Sequence, residues 1–322
     1  MSIHSIVDIP GVYAASATNA EAGTGCTVVV CPTGATGAVD VRGGAPATRE
    51  TDLLRPEETV QTLNCVVLSG GSAYGLAASC GAAEELERHG IGLDVGVGVV
   101  PIVSSACVFD LACGSADVRP DGRMGADAVR RALGREETTL SLGNVGAGAG
   151  CTVGKLCGPA RCMKSGLGES IATHGGLVCG AVAAVNACGN VVDPRTGDQV
   201  AGVLSPTLDS IMTPEEAWDD ASASMPLRTN TTISCVVTNA RLTKAQATKV
   251  AQMSADAYAH AIRPTHTTND GDTIFVMATG EVEAPVDLVG VTSTRALEDA
   301  IVSAALHARG AYGLKAACDL AG

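Results

Sequence analysis

The chain has 322 residues, of which 46% are apolar and 17% are charged, and this is enough apolar material for a buried core. Its formal net charge is -13 at pH 7, and no cluster of Lys and Arg reverses that balance locally. Because such a surface repels nucleic-acid phosphates and anionic lipid, the composition argues against nucleic-acid and membrane partners and favours a globular protein.

Short apolar runs alternate along the chain with helical patterns. The predicted strands are residues 26–31, 64–68, 177–185, 231–238 and 273–278. The predicted helices are residues 73–89, 126–133, 244–262 and about 294–309, and the third opens with a capping box formed by Thr243 and Gln246. Several strands are apolar on both faces, which predicts a layered α/β architecture with sheets covered by helices. No linker or repeat divides the chain, so a single domain over residues 1–322 is expected.

The start of the chain and its cysteines bear on the compartment. The first eight residues lack the basic start and continuous apolar region of a secretory signal, so we expect a cytoplasmic protein. In a reducing cytosol the thirteen cysteines are expected to be mostly small core residues. Cys157 and Cys162 have no second Cys/His pair nearby at zinc-site spacing, so no metal is expected.

Glycine-rich segments that bind nucleotides need a fixed spacing, which this chain does not show. Gly143, Gly146, Gly148 and Gly150 give no G-x-G-x-x-G register. Residues 158–165 place a methionine where a phosphate loop needs glycine. No cofactor is therefore expected.

An Asn-Thr bond, Asn230-Thr231, stands immediately before the β-branched run at residues 231–238. If the chain breaks there, Thr231 carries a hydroxyl and a free α-amine, a nucleophile and a base on one residue. In a strand, Thr231 would share a face with Ile233 and Cys235, at the mouth of a buried layer. Taken alone, the dipeptide is more typical of an ordinary loop before a strand. Residues 230 and 231 are therefore a candidate self-cleavage site that needs further support.

Two carboxylates flank a glycine downstream, at Asp270-Gly271-Asp272, just before the strand at residues 273–278. Such a turn can direct both acids at one point, and it is also compatible with an ordinary Asx turn. Upstream, residues 42–54 combine charges with turn formers, and residues 68–76 join a strand to a helix.

In this order, these segments and residues 230–233 resemble the DmpA-type aminopeptidases and the related nylon-oligomer hydrolases, a family of self-processing N-terminal-nucleophile amidases. Residues 100–111, 164–168 and 184–189 are also similar to family segments, so the resemblance covers nearly the whole chain. It implies a four-layer αββα sandwich, the fold of the superfamily that also contains the ornithine acetyltransferases. It further implies a homotetramer of protomers that are each cleaved into residues 1–230 and 231–322.

Position by position, the resemblance implies that Thr231 is the nucleophile and that its freed amine is the general base. Asn186 would help to form the oxyanion hole, and Lys164, Asp270 and Asp272 would orient and charge-balance the site. The implied activity is hydrolysis of a small peptide or amino-amide substrate. Acids near the entrance, from Asp270, Asp272 or Glu50, would bind the substrate ammonium.

Three positions depart from the pattern of the family. Phe109 stands where members have Tyr, so a hydroxyl that would bind the oxyanion or the substrate is absent, and Ala47 and Ser165 replace glycines. Two alternatives to the hydrolase remain open. One is an acyltransferase of the ornithine acetyltransferase type, in which an amine intercepts the acyl-enzyme, and the other is an uncleaved, inactive scaffold.

Overall fold

A computed structural model describes residues 3–136, 138–220 and 230–320 of the chain. Within them, the strands are β1 (Tyr13–Asn19), β2 (Thr24–Val41), β3 (Thr48–Arg49), β4 (Leu63–Ser69), β5 (Leu93–Asp94), β6 (Val99–Val100), β7 (Val103–Cys107), β8 (Thr152–Val153), β9 (Met163–Lys164), β10 (Leu167–His174), β11 (Leu177–Asn186), β12 (Asn190–Val192), β13 (Gln199–Ala201), β14 (Thr231–Ala240), β15 (Ile262–Arg263) and β16 (Thr273–Val282). The helices are α1 (Ala77–Arg88), α2 (Gly122–Leu133), α3 (Pro214–Asp220), α4 (Lys244–Ser254), α5 (Asp256–Ala261) and α6 (Val286–His307).

The main strands follow the order β10-β11-β14-β16-β2-β4-β7-β3, with β1 beside β2. The long strand β2 joins two halves of this arrangement. Its first part pairs with β1 and β4, whereas its last part pairs with β16. The strands therefore form two sheets that share β2 and that face each other across a common core.

Three apolar cores separate the layers. Helices α1 and α2 cover the outer face of the sheet that contains β4, and α4 and α6 cover the outer face of the sheet that contains β14. Between the two sheets lies a core that includes side chains from both, among them Val66, Leu68, Ile233, Cys235 and Phe275. The layers therefore follow the order helix, sheet, sheet, helix, and the expected αββα sandwich is confirmed.

All five predicted strands lie within observed strands, but β2 extends far beyond its predicted end. Its second part contains Pro32, Gly34 and Gly37, which the pattern indicates as a turn. At Gly37 a Cβ atom would lie 2.8 Å from the Leu63 side chain, so the glycine allows the strand to pack closely there. Strands β1, β7 and β10 were not predicted, because their runs are rich in Ala, Ser and Gly rather than in β-branched residues.

The helices differ from the prediction mainly at their ends. The predicted helix 244–262 is divided into α4 and α5, and its capping box at Thr243 and Gln246 is confirmed. Helix α6 begins at Val286 rather than near residue 294, although Gly290 and several β-branched residues lower the helix propensity there. Tertiary packing outweighs the low helix propensity here. Gly290 fits so closely against Met253 that a Cβ on the glycine would lie 2.4 Å from the methionine sulfur. In the described part of the chain, no helix has the length and apolarity needed to span a membrane.

Candidate active site

Three strand ends meet around Thr231. Asn186, the last residue of β11, is paired directly with Thr231, the first residue of β14. Strand β14 also runs parallel to β16, with Ile233 paired to Thr273. Because β16 starts immediately after Asp272, the acidic turn at residues 270–272 lies beside the start of β14. The register of the sheet thus brings together residues that are far apart in the sequence.

The Thr231 hydroxyl lies between two backbone groups. It donates to the carbonyl oxygen of Asn230 and accepts a hydrogen bond from the N–H of Gly271 at 3.0 Å. The side chain is buried, on the face of β14 that also carries Ile233 and Cys235 into the core between the sheets. A Cβ on Gly271 would lie 2.7 Å from Thr231 Oγ1, so only glycine fits at the centre of the acidic turn.

The two acids of the turn are buried and bind backbone N–H groups. Asp272 Oδ1 accepts from the N–H of Thr232 at 2.7 Å, and its Oδ2 accepts from the N–H of His266 at 2.9 Å. Asp270 Oδ2 accepts from the N–H of Thr267 at 2.7 Å, whereas its Oδ1 is buried with no hydrogen-bond partner among the described residues. Burial, followed by the charge of Asp272, raises the pKa of Asp270 to about 6.

The segment after β2 holds the acidic turn by its backbone. The N–H of Arg42 donates to the carbonyl of Asp272 at 3.0 Å, and the N–H of Ala45 donates to the carbonyl of Asp270 at 2.8 Å. Gly43 lies so close to the turn that a Cβ would be 2.3 Å from the Asp270 carbonyl oxygen. The turn formers at residues 42–46 therefore fix the position of the acids.

Hydrogen bonds to both the oxygen and the nitrogen of its amide hold the Asn186 side chain in place. Its Oδ1 accepts from the N–H of Thr152 at 3.0 Å and from Lys155 Nζ at 2.9 Å, and its Nδ2 donates to the carbonyl of Phe109 at 2.9 Å. Lys155 Nζ also donates to the backbone carbonyl of Asn186 at 2.9 Å. Burial lowers the pKa of Lys155. This ammonium therefore fixes both the side chain and the main chain of the residue paired with Thr231.

The ammonium of Lys164 binds backbone carbonyls away from Thr231 and Asn186. Its buried ammonium donates to the carbonyls of Cys151 at 2.8 Å and Ser165 at 2.7 Å, and burial lowers its pKa. Among the described residues it makes no hydrogen bond to Thr231, Asn186 or the two acids. The structure thus brings together Asn230, Thr231, Asn186, Asp270 and Asp272, and it places the Lys164 ammonium against the segment that precedes β8. A direct role for Lys164 stays a prediction.

Three residues near the site were not predicted from the sequence, namely Lys155, Tyr258 and His266. The Tyr258 hydroxyl lies 2.9 Å from Ser234 Oγ and 3.2 Å from the Thr232 carbonyl oxygen, and its ring stacks on His266. His266 Nδ1 lies 2.9 Å from Asp272 Oδ2. The available signals were weak: Lys155 is an isolated lysine in an apolar run, Tyr258 fits the pattern of a core helix, and His266 stands in the acidic segment.

A cavity of about 270 Å³ lies next to residues that bind the side chain of Asn186. Its walls include Phe109, Thr152 and Lys155, the three residues that hold the Asn186 amide. In the described part of the chain, no group of three or more His, Cys, Asp or Glu side chains is arranged to hold a metal. A hydroxyl beside a carbonyl, an amide across the ladder and an adjoining cavity are together suited to acyl transfer.

Comparison with known proteins shows extensive similarity. A profile of peptidase family S58 matches residues 4–318. An uncharacterised aminopeptidase of Mycobacterium leprae is 39% identical, over 99% of this chain and 94% of its own. A 6-aminohexanoate-oligomer endohydrolase of Paenarthrobacter ureafaciens is 31% identical, over 86% of this chain and 76% of its own.

Two solved structures share the fold at low sequence identity. A β-aminopeptidase of Burkholderia sp. has a TM-score of 0.67 at 19% identity, covering 98% of this chain and 92% of its own. The L-aminopeptidase D-Ala-esterase/amidase of Ochrobactrum anthropi has a TM-score of 0.65 at 16% identity, covering 96% and 88%, and is described as a variant of the Ntn hydrolase fold.

Asp270→Asn is expected to stabilise the protein more at pH 8 than at pH 4. The pKa of Asp270 is raised in the folded state, so the folded protein binds this proton more tightly than the unfolded chain does. The charged carboxylate therefore costs folding free energy, and this cost is complete above about pH 6 and absent below the ordinary pKa of 3.8. Asparagine keeps an oxygen for the N–H of Thr267 and carries no charge.

Urea unfolding of both proteins in the same cleavage state measures this effect. The stabilisation by Asp270→Asn is expected to grow by about 1 to 3 kcal/mol between the two pH values. An equal effect at pH 4 and pH 8 would show that the carboxyl titrates normally in the folded protein.

Proposed function

This chain belongs to peptidase family S58 and is a hydrolase of amide bonds, and from that premise we propose that it is a self-processing N-terminal-nucleophile amidase with Thr231 as the nucleophile. The observation that carries the proposal is the contact between the Thr231 hydroxyl and the Asn230 carbonyl, beside the N–H of Gly271. A hydroxyl held against the carbonyl of its own peptide bond is positioned for attack on that bond.

Self-cleavage follows from this contact in two steps. Thr231 Oγ1 bonds to the carbonyl carbon of Asn230, the C–N bond breaks, and the hydroxyl proton passes to the departing nitrogen. The product is an ester between residues 230 and 231. Water then opens the ester, which leaves a carboxylate on Asn230 and a free hydroxyl and α-amine on Thr231. The chain is thereby divided into residues 1–230 and 231–322.

In the cleaved enzyme the same hydroxyl attacks a substrate amide. The α-amine of Thr231 takes the hydroxyl proton and returns it to the leaving amine, and water then releases the acyl group. An α-amine has an ordinary pKa of about 7.7 to 8.0, so a useful fraction is neutral near pH 7. Holding nucleophile and base on one residue removes roughly 7 to 11 kcal/mol of barrier in well-oriented intramolecular reactions.

Asn186 is positioned to stabilise the oxyanion. Its side chain stands across the ladder from Thr231 and is held by Lys155 and Thr152, so it needs little reorganisation during the reaction. One preorganised donor of this kind contributes about 3 kcal/mol to the transition state. Phe109 contributes its backbone carbonyl, which orients the amide of Asn186. This contact uses the backbone of residue 109, so it does not need the tyrosine hydroxyl that Phe109 lacks.

The paired acids support the nucleophile in this proposal. Asp272 binds the N–H of Thr232 and so fixes the strand immediately after Thr231. Asp270 has a buried oxygen without a hydrogen-bond partner among the described residues, and it flanks the glycine that contacts the Thr231 hydroxyl. An α-ammonium at Thr231 would give this carboxylate a nearby cation. The homotetramer of cleaved protomers and the cytoplasmic location stay predictions.

Thr231→Ala should leave one full-length chain, whereas the parent protein should give two fragments without any added protease. Alanine keeps the backbone of β14 and removes only the hydroxyl that attacks residue 230. A denaturing gel of freshly purified protein separates the two results, and N-terminal sequencing of the smaller fragment should begin at Thr231. A different first residue, or an intact chain with full amidase activity, would exclude this mechanism. A single intact and inactive parent chain would favour the scaffold.

Lys155→Met and Lys164→Met form a matched pair of variants. Each replacement removes one buried ammonium and its bonds to carbonyl oxygens, so the two are expected to lose stability to a similar extent. Only Lys155 touches Asn186, and its loss is expected to lower kcat/KM by about 100-fold or more, whereas Lys164→Met should stay within tenfold of the parent. The assay is run at a temperature at which circular dichroism shows both variants folded. A larger loss in Lys164→Met would assign the role to Lys164, and equal losses would show that Lys155 has no special role.

Amides with a free amine on the acyl side should be hydrolysed at least tenfold faster than their N-acetylated counterparts. A buried carboxylate gains a charge-assisted hydrogen bond only from the free amine, and such a bond contributes roughly 1.5 to 3 kcal/mol. The candidate carboxylates are Asp270, which has a buried oxygen without a hydrogen-bond partner among the described residues, Asp272 and Glu50.

Aminoacyl p-nitroanilides, free and acetylated, provide the comparison, with kcat/KM as the measurement. Equal rates on both would favour internal amide cleavage, as in the name of the 6-aminohexanoate-oligomer endohydrolase, over an aminopeptidase. Repeating the assay with an added amine acceptor distinguishes hydrolysis from acyl transfer.

A further inference from the structure

We infer that the cavity beside Asn186 is a pocket for one apolar side chain on the acyl side of the substrate, so that the enzyme prefers apolar aminoacyl groups such as leucyl and phenylalanyl. This inference rests on the proposed function and gives it a substrate class. Three separate segments form the walls: residues 109–113, residues 150–162 and residues 312–314 contribute lining side chains.

The chemistry of the walls points to an apolar occupant. Most lining groups are apolar or weakly polar, among them Phe109, Ala112, Cys113, Pro159 and Leu314. Burial raises the pKa of the Cys113 thiol, which therefore stays neutral at pH 7. A ligand in this cavity thus gains mainly from removal of apolar surface from water.

The two charged side chains on the described walls already bind protein groups. Asp110 accepts from the N–H of Gly71 and from the Thr24 hydroxyl, both at 2.6 Å. Lys155 donates to Asn186 at 2.9 Å. Each side chain is at least nine-tenths buried. They therefore hold the walls in place and leave the interior to an uncharged side chain.

Size and position assign the cavity to the acyl side. A volume of about 270 Å³ lies just below the range of pockets that enclose whole drug-sized ligands, and it suits a group the size of one residue. In an aminopeptidase the acyl side is a single residue, whereas the leaving peptide continues into solvent and needs an open groove. Phe109, Thr152 and Lys155 line the cavity and bind the Asn186 amide, so the cavity lies close to the proposed oxyanion donor.

Ala112 offers a matched test, because a second exposed alanine lies in the same loop. Ala112 lines the cavity and Ala116 does not. Ala112→Phe should obstruct the pocket, and Ala116→Phe adds the same apolar surface to the loop outside it. Both positions are exposed, so neither substitution enters the core.

The first readout is the ratio of kcat/KM for phenylalanine p-nitroanilide to that for glycine p-nitroanilide. Burial of a large apolar side chain predicts a ratio of about ten to one hundred in the parent and in Ala116→Phe, and a fall to within threefold of unity in Ala112→Phe. Phenylalanine amide should likewise be hydrolysed with a higher kcat/KM than glycine amide. A preference that follows the leaving group, or equal ratios in the two variants, would overturn the inference.

The second readout needs no hydrolysis. L-phenylalaninol and 2-aminoethanol have no carbonyl to attack, and calorimetric titration of the full protein should show at least tenfold tighter binding of L-phenylalaninol. Ala112→Phe should abolish that difference, and Ala116→Phe should preserve it. If no amide is cleaved but this binding pattern holds, the proposed function fails and the pocket stands. If amides are cleaved but this binding pattern is absent, the inference about the pocket fails and the proposed function stands.

Discussion

The pairing of β11 with β14 is the constraint on which the site depends. Asn186 stands opposite Thr231 only in the observed register, and a slip of one residue would turn the threonine side chain toward the helices on the outer face. Every residue of both strands is buried on one face or the other. Such a slip would therefore also move each side chain of the shifted strand from one apolar core into the other. The apolar packing of the whole sandwich therefore fixes the relation between the hydroxyl and the amide.

Buried polar groups make the site sensitive to small changes. Lys155, Asn186, Asp270, Asp272 and Tyr258 are all buried, and an unsatisfied group of this kind costs roughly 1 to 3 kcal/mol. Most of the partners are backbone groups, which must approach closely, and glycines permit that approach. Gly43 and Gly271 meet this requirement at the acidic turn.

The sequence predicted those elements that a local pattern of residues determines. Strands 231–238 and 273–278 have continuous β-branched or apolar runs, and the capping box at Thr243 is a local signal, so all three were predicted. The start of α6 was missed because Gly290 packs closely against Met253 of α4, a contact that no local sequence window contains. Lys155 was missed for the same reason. Its contact with Asn186 spans 31 residues of chain and depends on how β8 and the following loop meet the end of β11.

The two acids of the turn repel each other in the chain whose Asn230–Thr231 bond is intact. Asp270 and Asp272 lie close enough for the charge of Asp272 to raise the pKa of Asp270, and one oxygen of Asp270 has no hydrogen-bond partner among the described residues. Lys155 lowers the pKa of Asp270 only as a minor effect. Under the proposed mechanism, cleavage creates an α-ammonium on Thr231 and a carboxylate on Asn230. The α-ammonium would lie beside the strand segment that Asp272 binds through the N–H of Thr232, where it would offset part of the repulsion between the acids.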